Sequence, residues 1–129
     1  MNAMYENKPN FGAKSAMVYR LLSSHSGVAA AVEDRIFPLV APLNTCGDHI
    51  SYYRDGVELT TSKMPGFAQF KVFFFVSIFS DDYMRSLTTS EEVFDALVGS
   101  HDGFKIEFHD LTESLIDQKF VQILKFSIR

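Results

Sequence analysis

The stretch Phe67–Phe79, F-A-Q-F-K-V-F-F-F-V-S-I-F, constrains the fold more than any other. It is too short to cross a bilayer as a helix, which takes about 20 apolar residues. Its β-branched and aromatic content, directly after Pro65-Gly66, predicts a strand. Side chains alternate in a strand, so one face carries Phe70, Val72, Phe74, Val76 and Ile78. The other carries Lys71, Phe73, Phe75, Ser77 and Phe79. A half-exposed strand has one polar face, whereas here both faces are mostly apolar and both call for cover. The domain's own helices can supply one cover. For the second there are two alternatives: another layer of the same domain, or another subunit. Two long helices are too few to cover both faces, and a monomer rarely leaves a large apolar patch open. Phe73, Phe75 and Phe79 are therefore the expected oligomer interface.

A chain of 129 residues fits one domain. Residues 1–12 are expected to be a flexible leader and 13–129 a single α+β domain. Charged residues make up 22%, the formal net charge is -4, and no run of Lys or Arg occurs. That balance argues against a domain that binds the phosphate backbone, which usually carries a basic stripe. Cys46 is the single cysteine, so no disulfide framework forms within the chain and a reducing compartment is the default. The polar Met1–Asn10 segment has no apolar core of signal-peptide length, and no segment reaches transmembrane length. These features predict a soluble protein made in the cytoplasm.

Along the chain, Ala13–Ser24 reads as the first helix, with Met17, Val18, Leu21 and Leu22 at helical spacing and Gly27 as a left-handed stop. Val28–Glu33 is a second short helical turn. Arg35–Val40 contains Pro38, which lacks an amide donor, so it is a short edge strand or an extended arm. His49–Leu59 is the next strand, with Ile50, Tyr52 and Val57 inward and Asp55-Gly56 as a turn or bulge. Thr60–Gly66 is a linker of small polar residues, and Thr60, Thr61, Ser62, Lys63 and Met64 are the candidate partner-contacting loop. Ser80-Asp81-Asp82 starts a helix running to about Val98, with Tyr83, Leu87, Phe94, Leu97 and Val98 on one face. Ser90 offers an alternative second start. Gly103–Asp110 is a half-exposed strand, Leu111–Ile116 a connector, and Asp117–Arg129 the closing strand. The order predicts an α+β domain: an antiparallel sheet of four to five strands with two main helices packed on one face.

No catalytic constellation stands out. His101-Asp102 and His109-Asp110 flank one strand, too far apart for one ion, since zinc needs three or four ligands at close range. Cys46 and His49 lack the third orienting group a nucleophile pair requires. Asp81-Asp82 and Glu107-Asp110 have no cleft to separate their pKa values. The glycines are isolated, so no phosphate loop is present. Neither a metal nor a cofactor is expected. A deep polar pocket joining Glu107, His109 and Tyr52 would be the sign of an enzyme.

Ala13–Arg129 resembles the siphophage tail-completion proteins, also described as tail-terminator or head-tail joining proteins. The likeness is carried by A-K-S-A-M-V-Y-R-L-L-S-S-H-S-G-V-A-A-A-V-E-D-R-I-F-P-L-V-A-P and by I-S-Y-Y-R-D-G-V-E with the Phe-rich strand and long helix after it. The closing F-V-Q-I-L-K-F-S-I-R is the third element. The family's usual P-Y lead into the second strand is replaced by Asp48-His49-Ile50. The resemblance implies a non-enzymatic virion assembly protein, formed in the host cytoplasm and carried in the virion. It implies a homo-oligomeric ring, typically a hexamer, that ends the tail tube and meets the head connector, with no sequence-specific nucleic acid and no membrane. The alternative is a cytoplasmic α+β ligand-binding or regulatory module that dimerises through its sheet.

Overall fold

The computed structural model describes residues 8–61 and 68–129. Helix α1 spans Phe11–Ser24 and α2 Ser26–Val32. Strands β1 (Ile36–Pro38), β2 (His49–Thr61) and β3 (Ala68–Ser80) follow, then α3 (Tyr83–Leu97). Strands β4 (Gly99–His101), β5 (Phe104–Ile116) and β6 (Lys119–Ile128) complete the chain. They form one sheet in the order β1-β2-β3-β6-β5-β4, with the Phe-rich strand β3 near its middle.

Six strands form where four to five were predicted, and the sheet is mixed because β1 pairs parallel to β2. Pro38 does sit in a three-residue edge strand. Leu111–Ile116 is no connector: β5 continues through it, paired with β6 from Leu111↔Leu124 to Ile116↔Lys119. The turn that permits this is Asp117-Gln118, both at positive φ (49° and 64°), as a two-residue hairpin of right-handed twist demands. β4, unforeseen, folds back on β5 through Asp102-Gly103, at φ 50° and 86°. The predicted Thr60–Gly66 linker is shorter than it looked, since Thr60 and Thr61 pair with Gln69 and Ala68. Ser62, Lys63 and Met64 lie outside the described residues, as does the leader up to residue 7.

Helix α1 starts at Phe11 and buries Met17, Val18 and Leu22 as its spacing predicted, together with Lys14. Its stop is not Gly27, which lies inside α2. The chain breaks at His25, whose backbone is extended and whose Nδ1 accepts from Val28 N at 3.2 Å, capping α2. Helix α3 is one helix through Thr88-Thr89-Ser90, capped by Asp82, which accepts from Arg85 N at 3.1 Å. Of the predicted face Tyr83, Leu87, Phe94, Leu97 and Val98, Leu97 is buried and Val98 packs against the core, but the rest of the buried face is Ser86, Thr89, Ser90, Val93 and Ala96. Small side chains let the helix settle close to the sheet. Tyr83 and Phe94 instead lie on its flank, edge-on to Phe120 and Phe108.

One core holds the domain together. Ile36, Ile50, Tyr52, Val72, Phe74, Val76, Ile78, Leu124, Phe126 and Ile128 meet buried residues of all three helices. All of these strand residues point to one side, as the register requires: Ile50↔Ile78, Tyr52↔Val76, Val76↔Leu124 and Phe74↔Phe126. Each fully buried aliphatic or Phe contributes about 1.5–3 kcal/mol. Val57 shares that side but is exposed, against the inward placement its spacing suggested.

Candidate functional site

The opposite side of the sheet has no helix over it among the described residues. β3 places Phe73, Phe75 and Phe79 there, all three only half-buried. Cross-strand pairing adds Gly56 and Ser127 beside Phe73, Tyr53 and Lys125 beside Phe75, and His49 and Val121 beside Phe79. The rings shield one another. The His49 imidazole stacks on Phe79 at 4.6 Å between centroids, and Tyr53 leans on Phe75 at 5.4 Å. His109 meets Phe73 edge-on at 5.4 Å and bonds Ser127 Oγ through Nε2 at 2.7 Å. Lys125 Nζ lies 5.0 Å from the Phe73 centroid and 5.8 Å from that of Phe75, a cation between two aromatic faces. This packing buries Val121, Ser77 and Ser127 beneath the rings, Val121 standing apart from the main core. Burial lowers the His49 pKa, the Gly47 carbonyl working the other way, so that ring is neutral at pH 7.

Sequence reasoning brought Phe73, Phe75 and Phe79 to one face, and the structure places them so. It missed their companions His49, Tyr53 and Lys125. The signal was there: with Ile50 and Tyr52 inward, His49 and Tyr53 must point out.

Of the candidate loop, Thr60 and Thr61 end the β2 side of an arm formed by β2 and β3. The last β3–β6 pair is Val72↔Ile128, yet β2 and β3 stay paired as far as Thr61↔Ala68. Four further residues at about 3.4 Å each carry the hairpin roughly 14 Å past its last pair with β6. Val57, Glu58 and Leu59 are exposed along it.

The catalytic and metal candidates are scattered or engaged. His101 bonds the Leu97 carbonyl at 2.9 Å, at the far end of β5's register from His109. Tyr52 is on the helix side, whereas Glu107 and His109 lie on the open side, so the three line no common pocket. Exposed Cys46 points its thiol to the Asn44 carbonyl, and His49 turns to Gly47 and Phe79. Glu107 pairs with Arg129, Asp81 with Lys119, and Asp82 caps α3. His25, Glu92 and Asp95 do converge, which the sequence did not suggest. However, His25 Nε2 bonds Asp95 at 2.8 Å while Nδ1 accepts from Val28 N, so both ring nitrogens already serve the α2–α3 junction. A largely apolar cavity of about 220 Å³ lies under α1, lined by Phe11, Lys14, Val18, Tyr52, Arg54 and Phe74. No described helix is long and apolar enough to cross a membrane.

Comparison with known proteins bears on the fold. A chain of the virion of a native gene transfer agent particle superposes with a TM-score of 0.75 at 22% identity. The match covers 92% of this chain and 94% of that chain, so the two share one architecture nearly end to end. No protein-family model matches the sequence, and no curated protein matches it.

Proposed function

We propose that this chain is a non-enzymatic structural component of a phage-like virion, which closes into a ring that ends the tail tube and joins it to the head. The observation that carries the reading is the uncovered aromatic face built on Phe73, Phe75 and Phe79. The shared fold with a chain of a gene transfer agent virion supports the setting. A hexamer is the ring expected from the sequence resemblance. In it, the open face packs against other subunits or the tube, and the arm carrying Thr60, Thr61, Ser62, Lys63 and Met64 reaches the lumen or the adjoining ring. The partners are the tail-tube protein and the head connector. Assembly occurs in the host cytoplasm, and the finished ring stays in the neck of the particle.

The cavity under α1 favours a second reading, a ligand-binding or regulatory module that dimerises through the same sheet face. Electron microscopy of the protein mixed with polymerised tail tubes of the same virus separates the two. A terminator adds a disc of density at one tube end and stops elongation. Tubes that keep bare ends and keep growing overturn the terminator reading.

A further inference from the structure

The cavity under α1 has a charge character that the rest of the chain does not share. In a chain with 16 acidic and 12 basic residues, Lys14 and Arg54 line it and no aspartate or glutamate does. Arg20, Arg35, Arg85, Lys119, Lys125 and Arg129 are each ion-paired. Lys14 and Arg54 have no carboxylate partner among the described residues.

Lys14 is 4% exposed, on the inner face of α1. Of its three N–H donors, one reaches the Phe70 carbonyl at 3.2 Å, the long end of the range. The ammonium also stands 5.9 Å from the Phe104 centroid, near the outer limit of a cation–π contact. Neither partner is charged, and a buried cation is costly unless an anion accompanies it. Arg54 comes from the helix side of β2, opposite Phe74, and its guanidinium lies 4.6 Å from the Phe11 ring centroid. It is exposed and so marks the rim, while Val18, Tyr52 and Phe74 are buried and form the floor. Burial, with Tyr19 nearby, raises the Tyr52 pKa, so that ring keeps its hydroxyl proton and adds a donor rather than an anion.

The volume of about 220 Å³ exceeds the roughly 150 Å³ that accepts benzene in an engineered apolar cavity. It suits one ring, or an alkyl chain of similar bulk, with a carboxylate attached, and is smaller than a typical drug-sized site. Resting on the reading of this cavity as a ligand site, we infer that it takes a small monocarboxylate with an apolar body. The carboxylate meets the Lys14 ammonium, Arg54 adds a second cation at the rim, and the apolar part lies against Val18, Tyr52 and Phe74. The inference needs neither the ring nor the dimer.

The test is ligand-observed NMR and thermal melting of the full chain at pH 7 and matched ionic strength. The probes are phenylacetate and hexanoate, the amide of each, phenethylamine, and acetate. At least one of the two larger acids should bind about tenfold or more tighter than its amide and raise the melting temperature when in excess. Phenethylamine and acetate should not bind. In Lys14→Met, the acid should fall to the level of its amide, and the amide should bind as before. Arg54→Gln, at an exposed position, should weaken the acid by a smaller factor, and it decides the matter if Lys14→Met does not fold. Acid binding unchanged in the variants overturns the site. Equal binding of acid and amide leaves a ligand site but overturns the carboxylate. Binding of none of the probes overturns the ligand reading itself. Acid binding seen only in a Glu6→Gln chain assigns Lys14 to a carboxylate of its own chain, outside the described residues, and also overturns the inference.

Discussion

Asp48 shows how one side chain joins distant parts of this chain. Its buried carboxylate takes Arg85 Nη2 at 2.9 Å, Arg85 Nε at 3.0 Å and Ser80 Oγ at 2.9 Å. That ties the loop before β2 to the end of β3 and the first turn of α3. Burial by itself would raise the Asp48 pKa, but the bonds from Arg85 and Ser80 outweigh it and hold the carboxyl below its usual range. A depressed folded value means the stabilisation is complete above the unfolded value, about pH 4, and is lost as pH falls through the folded one. Asp48→Ala should cost about 1–3 kcal/mol, read as a lower denaturant midpoint at pH 7. Asp48→Asn should flatten the loss of stability below about pH 4. Lys14 makes the opposite case. It is buried in α1, with Nζ on the Phe70 carbonyl at 3.2 Å and no carboxylate partner among the described residues. Burial lowers its pKa from 10.5, so the charged form weighs against folding at pH 7 and stability rises with pH toward that value. Lys14→Met should therefore raise the melting temperature at pH 7 by a few degrees, and an unchanged or lower Tm would contradict this.

Among the elements, the hairpins decide the sheet, and they were the hardest part to read. The Phe-rich strand and the closing strand were legible because apolar residues recur along them with period two, although the closing strand begins at Lys119 and not at Asp117, which belongs to the turn. β5 was cut short because Leu111–Ile116 is an exposed edge with polar residues on both faces, so its pattern fades although its backbone bonds do not. The turn that would have revealed it, Asp117-Gln118, lacks the glycine that usually marks such hairpins. Replacing it by Asn-Gly should stabilise the fold by about 0.5–1 kcal/mol, since both positions already have positive φ. Gly103→Ala, at φ 86°, should destabilise it by about 1 kcal/mol. Thermal melts of the two variants should shift in opposite directions. The face of α3 was misread for another reason. Hydrophobic spacing selects large residues, whereas packing on the sheet selected Ser86, Thr89 and Ser90. The two serine hydroxyls bond inside the helix, Ser86 Oγ to the Tyr83 carbonyl at 2.6 Å and Ser90 Oγ to the Ser86 carbonyl at 2.8 Å.

The described residues form one core and leave one aromatic face of the sheet uncovered. The face was legible because β3 is apolar on both sides. That His49 points to this side could be read from the alternation of β2, but which ring it and Lys125 meet could not, since only the register sets strands side by side. The direct test is recovery of the Phe75→Asp chain in assembled tails, with its melting temperature measured on the same preparation. The substitution suits the fold, because an aspartate at 75 would face Lys125 across the strand pair. The account predicts a Tm within about 5 °C of the parent and recovery in tails lowered about tenfold or more. Parental recovery in tails, or a Phe75→Asp chain that does not fold, would contradict it.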